Sequence, residues 1–155
     1  KDVNAWAMDN GCIRVYSGLM DLMNDDEVRG VLGHEIGHVA LGHSKKSMQT
    51  AYAASAVRSA AANSGNAAVA ALSQSQAGEL GEKFINAQFS QSQESAADDY
   101  SFDLLTEKKM NRQGLVTAFQ KLAKLSGGSS GSSILSSHPP SEKRAAHIQD
   151  RLDGK

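Results

Sequence analysis

The chain has 155 residues, 16 Lys and Arg against 17 Asp and Glu, a net charge of -1 and a single cysteine. That length suits one domain with a buried core, and the lack of a basic stripe argues against nucleic acid or an anionic membrane surface as the main partner. One cysteine excludes a disulfide framework and a Cys-based zinc knuckle, and no run of ~18 apolar residues reads as a membrane span.

The chain opens on KDVNAWAMDNG, with no initiator Met and no basic segment followed by an apolar run, so a signal peptide is not expected here. It passes almost at once into strand-like sequence, and the expectation is a single domain over 1–155 trimmed at its N-terminus. Residues 4–20 read as a β-hairpin, with NAWAM and CIRVYSGL joined by Asp9-Asn10-Gly11. Cys12, Arg14 and Tyr16 alternate with Ile13, Val15 and Ser17, as a half-exposed strand requires. Cys12 is expected to pack rather than react. Taken alone this is a structural hairpin; the other reading is an edge strand that pairs with an extended peptide.

Asn24 begins a helix: with Glu27 it forms a capping-box pattern, and Asp25 and Asp26 favour the positive helix end. Val28, Val31, Leu32, Ile36 and Val39 recur at helical spacing, and Gly42 is the expected stop, with a second helix close behind. Residues 50–80 are rich in Ala and Ser and read as a helical insertion turning near 63–66. A third helix is expected over 90–109, again with a capping box from Ser90 and Gln93, and Phe102 and Leu105 facing inward. A fourth covers 113–125, SGGSSGSS at 126–133 is a flexible loop, and Pro140 or Ser141 starts the last helix. The fold expected is mainly α with a small β-hairpin, an α+β domain.

GHEIGHVALGH, residues 33–43, carries the chemistry. His34 and His38 are four apart, within ~40° of each other on a helix, so both imidazoles can turn a nitrogen to one metal ion. They lie well away from the apolar arc of Val28, Leu32 and Val39, and Gly30, Gly33 and Gly37 clear another side for a close neighbour. Glu35 is poorly placed as a third ligand but near enough to reach a water on the metal, as a general base must be. His43 falls roughly 140° round the wheel from His38 and reads as structural.

A catalytic zinc usually takes three protein ligands and leaves a fourth position to water. QSQESAADDY supplies the best candidate: Glu94 as ligand, with Asp98 one turn on to accept the N–H of a ligating histidine. Asp99, Glu79 and Glu82 are weaker alternatives. In SHPPSEKR, His138 stands where it can donate to an oxyanion opposite the metal, or occupy the open position in a resting state. Arg144 is a candidate for substrate binding or carboxylate pairing, and His147 is given no role.

With NAWAM, HEIGH, ESAAD and HPPSEKR in this order, the chain resembles the HtpX-, BepA- and LoiP-related gluzincins, a family of zinc metallopeptidases that includes the CaaX-prenyl protease. It is most similar to the soluble envelope members, since the segment between HEIGH and ESAAD is short. The resemblance implies His34, His38 and Glu94 as ligands of one Zn2+, Glu35 as catalytic base, Asp98 behind a ligand and His138 in the active site. It raises the edge-strand reading, with Arg14, Val15 and Tyr16 beside the substrate. It also implies a periplasmic or envelope enzyme of a Gram-negative bacterium that cleaves misfolded polypeptides, often with a lipid anchor or an outer-membrane partner.

The function expected is therefore a zinc-dependent endopeptidase in which a metal-held water attacks with Glu35 as general base. The alternative is a zinc-stabilised, chaperone-like binding module with weak or latent proteolysis. An aminopeptidase on the same chemistry ranks last, because no further acidic motif beside HEIGH would hold a substrate N-terminus.

Overall fold

The computed structural model describes residues 1–63, 65, 67, 89–126, 133–138 and 142–155. Two short strands, β1 (Ala5–Ala7) and β2 (Ile13–Val15), form an antiparallel hairpin with Trp6 opposite Arg14. The expected turn is there: the Gly11 N–H donates to Met8 O at 3.0 Å, the Cys12 N–H to Asn10 Oδ1 at 3.0 Å, and Gly11 adopts φ 83°. That left-handed conformation is what glycine permits at a turn. Cys12 is exposed rather than packed.

The second strand is shorter than expected. From Ser17 the chain forms a helix, α1 (Ser17–Leu22), instead of continuing the hairpin. Gly18 explains the departure: a Cβ there would run into the Asp2 backbone, so the N-terminal segment lies against this helix. Leu19 and Met23 enter the core with Ala5, Val31, Ala118, Leu122 and Ile134.

Helix α2 (Asp25–Ala40) starts at the capping box anticipated, with Glu27 N–H on Asn24 Oδ1 at 3.0 Å and Asn24 N–H on Glu27 Oε2 at 2.8 Å. Its most deeply buried face is not the apolar arc, however. Leu32, Ile36 and Val39 are only half-buried, while Gly30, Gly33, His34, Glu35, Gly37 and His38 are buried. The reason is close packing: a Cβ on Gly37 would lie 3.0 Å from Ala97 O, and one on Gly30 would lie 2.8 Å from Leu115 Cα.

Helix α3 (His43–Ala62) follows directly, the second helix expected close behind Gly42, and runs on into the Ala- and Ser-rich segment; the remainder of that insertion lies mostly outside the described residues. Helix α4 (Gln91–Glu107) has the Ser90/Gln93 capping box and packs along α2, where Ser101 Oγ donates to Gly30 O at 2.9 Å. Helix α5 (Gln113–Ser126) crosses α2 on another side and carries Leu115 and Val116 into a second cluster with Phe102, Leu105 and Ile148. A short helix, α6 (Ser133–Ser137), stands at the end of the expected loop, and α7 (Glu142–Leu152) closes the fold. The expected start of that last helix at Pro140 or Ser141 lies outside the described residues. The domain is thus mainly helical with one small antiparallel sheet, the α+β class expected.

Candidate metal centre

Two helices build the centre. The glycine face of α2 lets α4 approach until Ala97 meets Gly37, and this brings Glu94 and Asp98 opposite His34 and His38. His38 Nε2 lies 3.0 Å from His34 Nε2 and 3.2 Å from Glu94 Oε1, and His34 Nε2 lies 3.5 Å from Glu94 Oε2. From the end of α6, His138 brings Nδ1 to 3.2 Å from His34 Nε2 and 2.9 Å from Glu94 Oε1. The four residues are buried and each offers a ligand atom within 4.8 Å of the others.

The chemistry of this set fits a divalent ion. His34 Nδ1 is 2.7 Å from Asp98 Oδ1; a carboxylate only accepts, so Nδ1 is the donor there and Nε2 is the ring nitrogen turned inward, the one a metal would take. Tetrahedral zinc with bonds of ~2.0–2.1 Å separates its ligand atoms by about 3.3 Å, close to the spacings His34, His38, Glu94 and His138 display. Burial pushes the His38 imidazole down to about 3, with the neighbouring His34 and His138 adding to the shift and Glu94 opposing it. His38 is therefore neutral, as a ligand must be. For Glu94 burial works upward, yet the neighbouring His138, His38 and His34 hold its carboxyl well below the usual carboxylate range.

Arg144 on α7 reaches into this centre. It is buried, its Nε donates to Asp98 Oδ2 at 2.6 Å and its Nη2 to Asp98 Oδ1 at 2.7 Å, and Nη1 lies 2.5 Å from Glu94 Oε2. The guanidinium also lies over the Phe119 ring at 4.8 Å. Burial alone would raise the Asp98 carboxyl, but the bonds from Arg144 and His34 outweigh it and lower it. Carboxylate pairing, one of the two roles foreseen for Arg144, is the one its contacts display.

Glu35 is buried beside this cluster, and its Oε1 has no hydrogen-bond partner among the described residues; His138 Nε2 stands 3.4 Å away. A buried carboxylate oxygen left open is costly unless something arrives to fill it. Here it faces a cleft of about 290 Å³ bordered by Trp6, Ala7, Met8 and Tyr16 of the hairpin, Ser44, Ser47 and Met48 of α3, Phe89, Ser137 and His138. Of the expected substrate contacts, Tyr16 borders this cleft, Val15 packs against the core, and Arg14 is exposed with its guanidinium 5.3 Å from the Trp6 ring.

Sequence reasoning missed two neighbours of His38. Phe89 stacks on it at 3.9 Å with 26° between the rings, and His43 brings Nδ1 to 3.0 Å from His38 Nδ1. The one signal for Phe89 was its place just before the Ser90 cap. Of the alternative ligands, Asp99 faces away and pairs with His147 and Arg151, both at 2.8 Å; Glu79 and Glu82 lie outside the described residues.

The family model for peptidase family M48 matches residues 1–152. The metalloprotease LoiP of Escherichia coli (strain K12) is 61% identical over 152 residues, which cover 98% of this chain and 60% of that protein. The metalloprotease YcaL of the same strain is 58% identical over 152 residues, covering 97% of this chain and 59% of that protein. The protease HtpX of Thioalkalivibrio sulfidiphilus (strain HL-EbGR7) is 53% identical over 45 residues, 26% of this chain and 15% of that protein. The chain spans about 60% of the length of the first two relatives.

Proposed function

Because the chain belongs to peptidase family M48, and because a buried His, His and Glu set converges beside an open cleft, we propose that it is a zinc-dependent endopeptidase. The observation that carries this reading is the convergence of His34 Nε2, His38 Nε2 and the Glu94 carboxylate, with a Glu35 oxygen that has no hydrogen-bond partner among the described residues beside the cleft. His34, His38 and Glu94 would hold the ion. Zinc at that point would polarise the scissile carbonyl and acidify the attacking water to a pKa near ~7.

Glu35 would take the proton of that water through Oε1 and deliver it to the leaving amine. His138 Nδ1 would be a fourth donor to such an ion, and turnover would need it to give way to water or substrate. Burial opposes a proton on this imidazole, but Glu35 and Glu94 outweigh burial and raise its pKa. A protonated His138 released to the cleft would then be a donor for the oxyanion. Arg144 and Asp98 would keep Glu94 and His34 in place throughout.

Substrate would lie extended beside β1. The Met8 N–H donates to Cys12 O and the Tyr16 N–H to Asn4 O, which sets the even-numbered residues of β1 in the hydrogen-bonded positions. The amide of Ala7, which borders the cleft, therefore points to the opposite edge, where a peptide backbone would pair. Main-chain pairing makes selectivity loose, with Trp6, Met8, Met48 and Phe89 favouring an apolar side chain in the cleft. Extended or misfolded polypeptides are the substrates proposed.

We place the protein in the periplasm or cell envelope of a Gram-negative bacterium, with any lipid anchor or outer-membrane partner outside this chain. Supporting this, two close relatives come from Escherichia coli, and no helix among the described residues is long and apolar enough to cross a membrane. The test of function is cleavage of reduced casein by the protein as isolated, after chelation and after return of zinc. Activity lost and regained supports the peptidase. A second reading, the zinc-stabilised binding module, draws on His138 in the fourth position, since closed four-ligand sites are typical of structural zinc. That protein would bind casein without cutting it, with or without added zinc.

A further inference from the structure

We propose that His43 is a positioning residue for the metal ligand His38, an inference that rests on the zinc reading above. His43 Nδ1 lies 3.0 Å from His38 Nδ1, with 64° between the rings. A neutral imidazole carries one proton. His38 turns Nε2 inward, 3.0 Å from His34 Nε2 and 3.2 Å from Glu94 Oε1, so a metal at that point takes the Nε2 lone pair and the proton belongs on Nδ1. His38 then donates its Nδ1–H to Nδ1 of His43, whose own proton is left on Nε2. One contact thus fixes the tautomers of both rings.

The two histidine ligands are then backed by different groups. Behind His34 stands a carboxylate, Asp98, at 2.7 Å; behind His38 stands a second imidazole, His43, at 3.0 Å. Phe89 lies against the face of the His38 ring at 3.9 Å, which prevents tipping but leaves rotation within the ring plane. The edge contact with His43 removes that remaining freedom, and orienting a ligand this way is worth an appreciable share of metal affinity.

The helical wheel hides this role because α2 has ended before His43 is reached. The Leu41 N–H closes on Gly37 O and the Gly42 N–H on Val39 O, and Gly42 takes φ 72°, which breaks the helix. His43 then opens α3 with its ring against His38 in the last turn of α2.

The test is zinc affinity, measured by competition with a chromogenic chelator, on the unaltered protein, His43→Ala and His43→Gln. His43→Ala is expected to weaken zinc binding about 10–100-fold. His43→Gln, whose side-chain oxygen can accept the same hydrogen bond, is expected to stay close to the unaltered protein. Thermal unfolding of the metal-free forms separates lost ligand support from lost folding, and the three midpoints should coincide. Equal zinc affinity in His43→Ala overturns the proposal. So does an equal loss in both variants, or a fall in metal-free stability with affinity unchanged. Failure of the unaltered protein to bind zinc would overturn the zinc reading itself and this proposal with it.

Discussion

Arg144 bridges two acidic side chains that face a cluster of imidazoles, and all are buried. Removing one partner of a buried ionic group is far costlier than removing a surface pair, because the remaining charges keep their desolvation penalty. Arg144→Met is therefore expected to lower the stability of the metal-free protein by about 3–5 kcal/mol in urea unfolding. Arg144→Lys should recover only part of the loss, since an ammonium cannot span Asp98 and Glu94 as a fork does. A loss under 1 kcal/mol would mean the carboxylates have other support. At this scale the buried cluster was readable, because His34, His38, Glu94 and Asp98 sit at spacings of four on two helices. His43 and Phe89 were not, because neither shares a helix with the ring it touches.

Among the elements, α2 is where packing and chemistry share one surface. Gly30→Ala should improve intrinsic helix propensity by ~1 kcal/mol, yet the new Cβ would lie 2.8 Å from Leu115 Cα and force α5 outward. The expected net result is a destabilisation of about 1–2 kcal/mol, measured by urea unfolding. A more stable variant would contradict the close approach.

The cap of α2 has its own pH signature. Burial works to raise the Glu27 carboxyl, but Lys121, 2.7 Å from Oε2, and the Asn24 N–H outweigh it and lower the pKa. A depressed carboxylate stabilises the fold above its unfolded pKa of ~4.3, and that stability is lost as pH falls through the folded value. Glu27→Gln should therefore be less stable than the unaltered protein at pH 7, with the gap narrowing below about pH 4. A gap independent of pH would contradict this. Both capping boxes were legible because they are local side-chain to backbone patterns. Helix α1 and the half-buried arc of α2 were not, because Gly18 and Gly30 are small for the sake of residues distant in sequence.

Across the whole molecule, two apolar clusters meet at Phe119, and the polar centre lies beside them between α2, α4 and the end of α6. A ligand that binds only the folded state stabilises it by mass action, about 4 kcal/mol when free metal is about 1,000 times Kd. Chelation is thus expected to lower the thermal midpoint, with zinc restoring it; a midpoint indifferent to chelation would mean that no ion is held. The fold class was legible from helical spacing and one turn signal. The polar packing of α2 was not, since periodicity reports apolar faces and this one is made of glycine, histidine and glutamate.

The most direct measurement is metal content together with casein cleavage, on the unaltered protein and on Glu35→Gln. Glu35 touches the cleft but lies outside the ligand set, so its amide should leave the metal in place and remove the base. The account predicts one zinc per chain in both proteins and a fall in cleavage of at least ~10²-fold in the variant. Zinc absent from both proteins, or cleavage undiminished in Glu35→Gln, would contradict it.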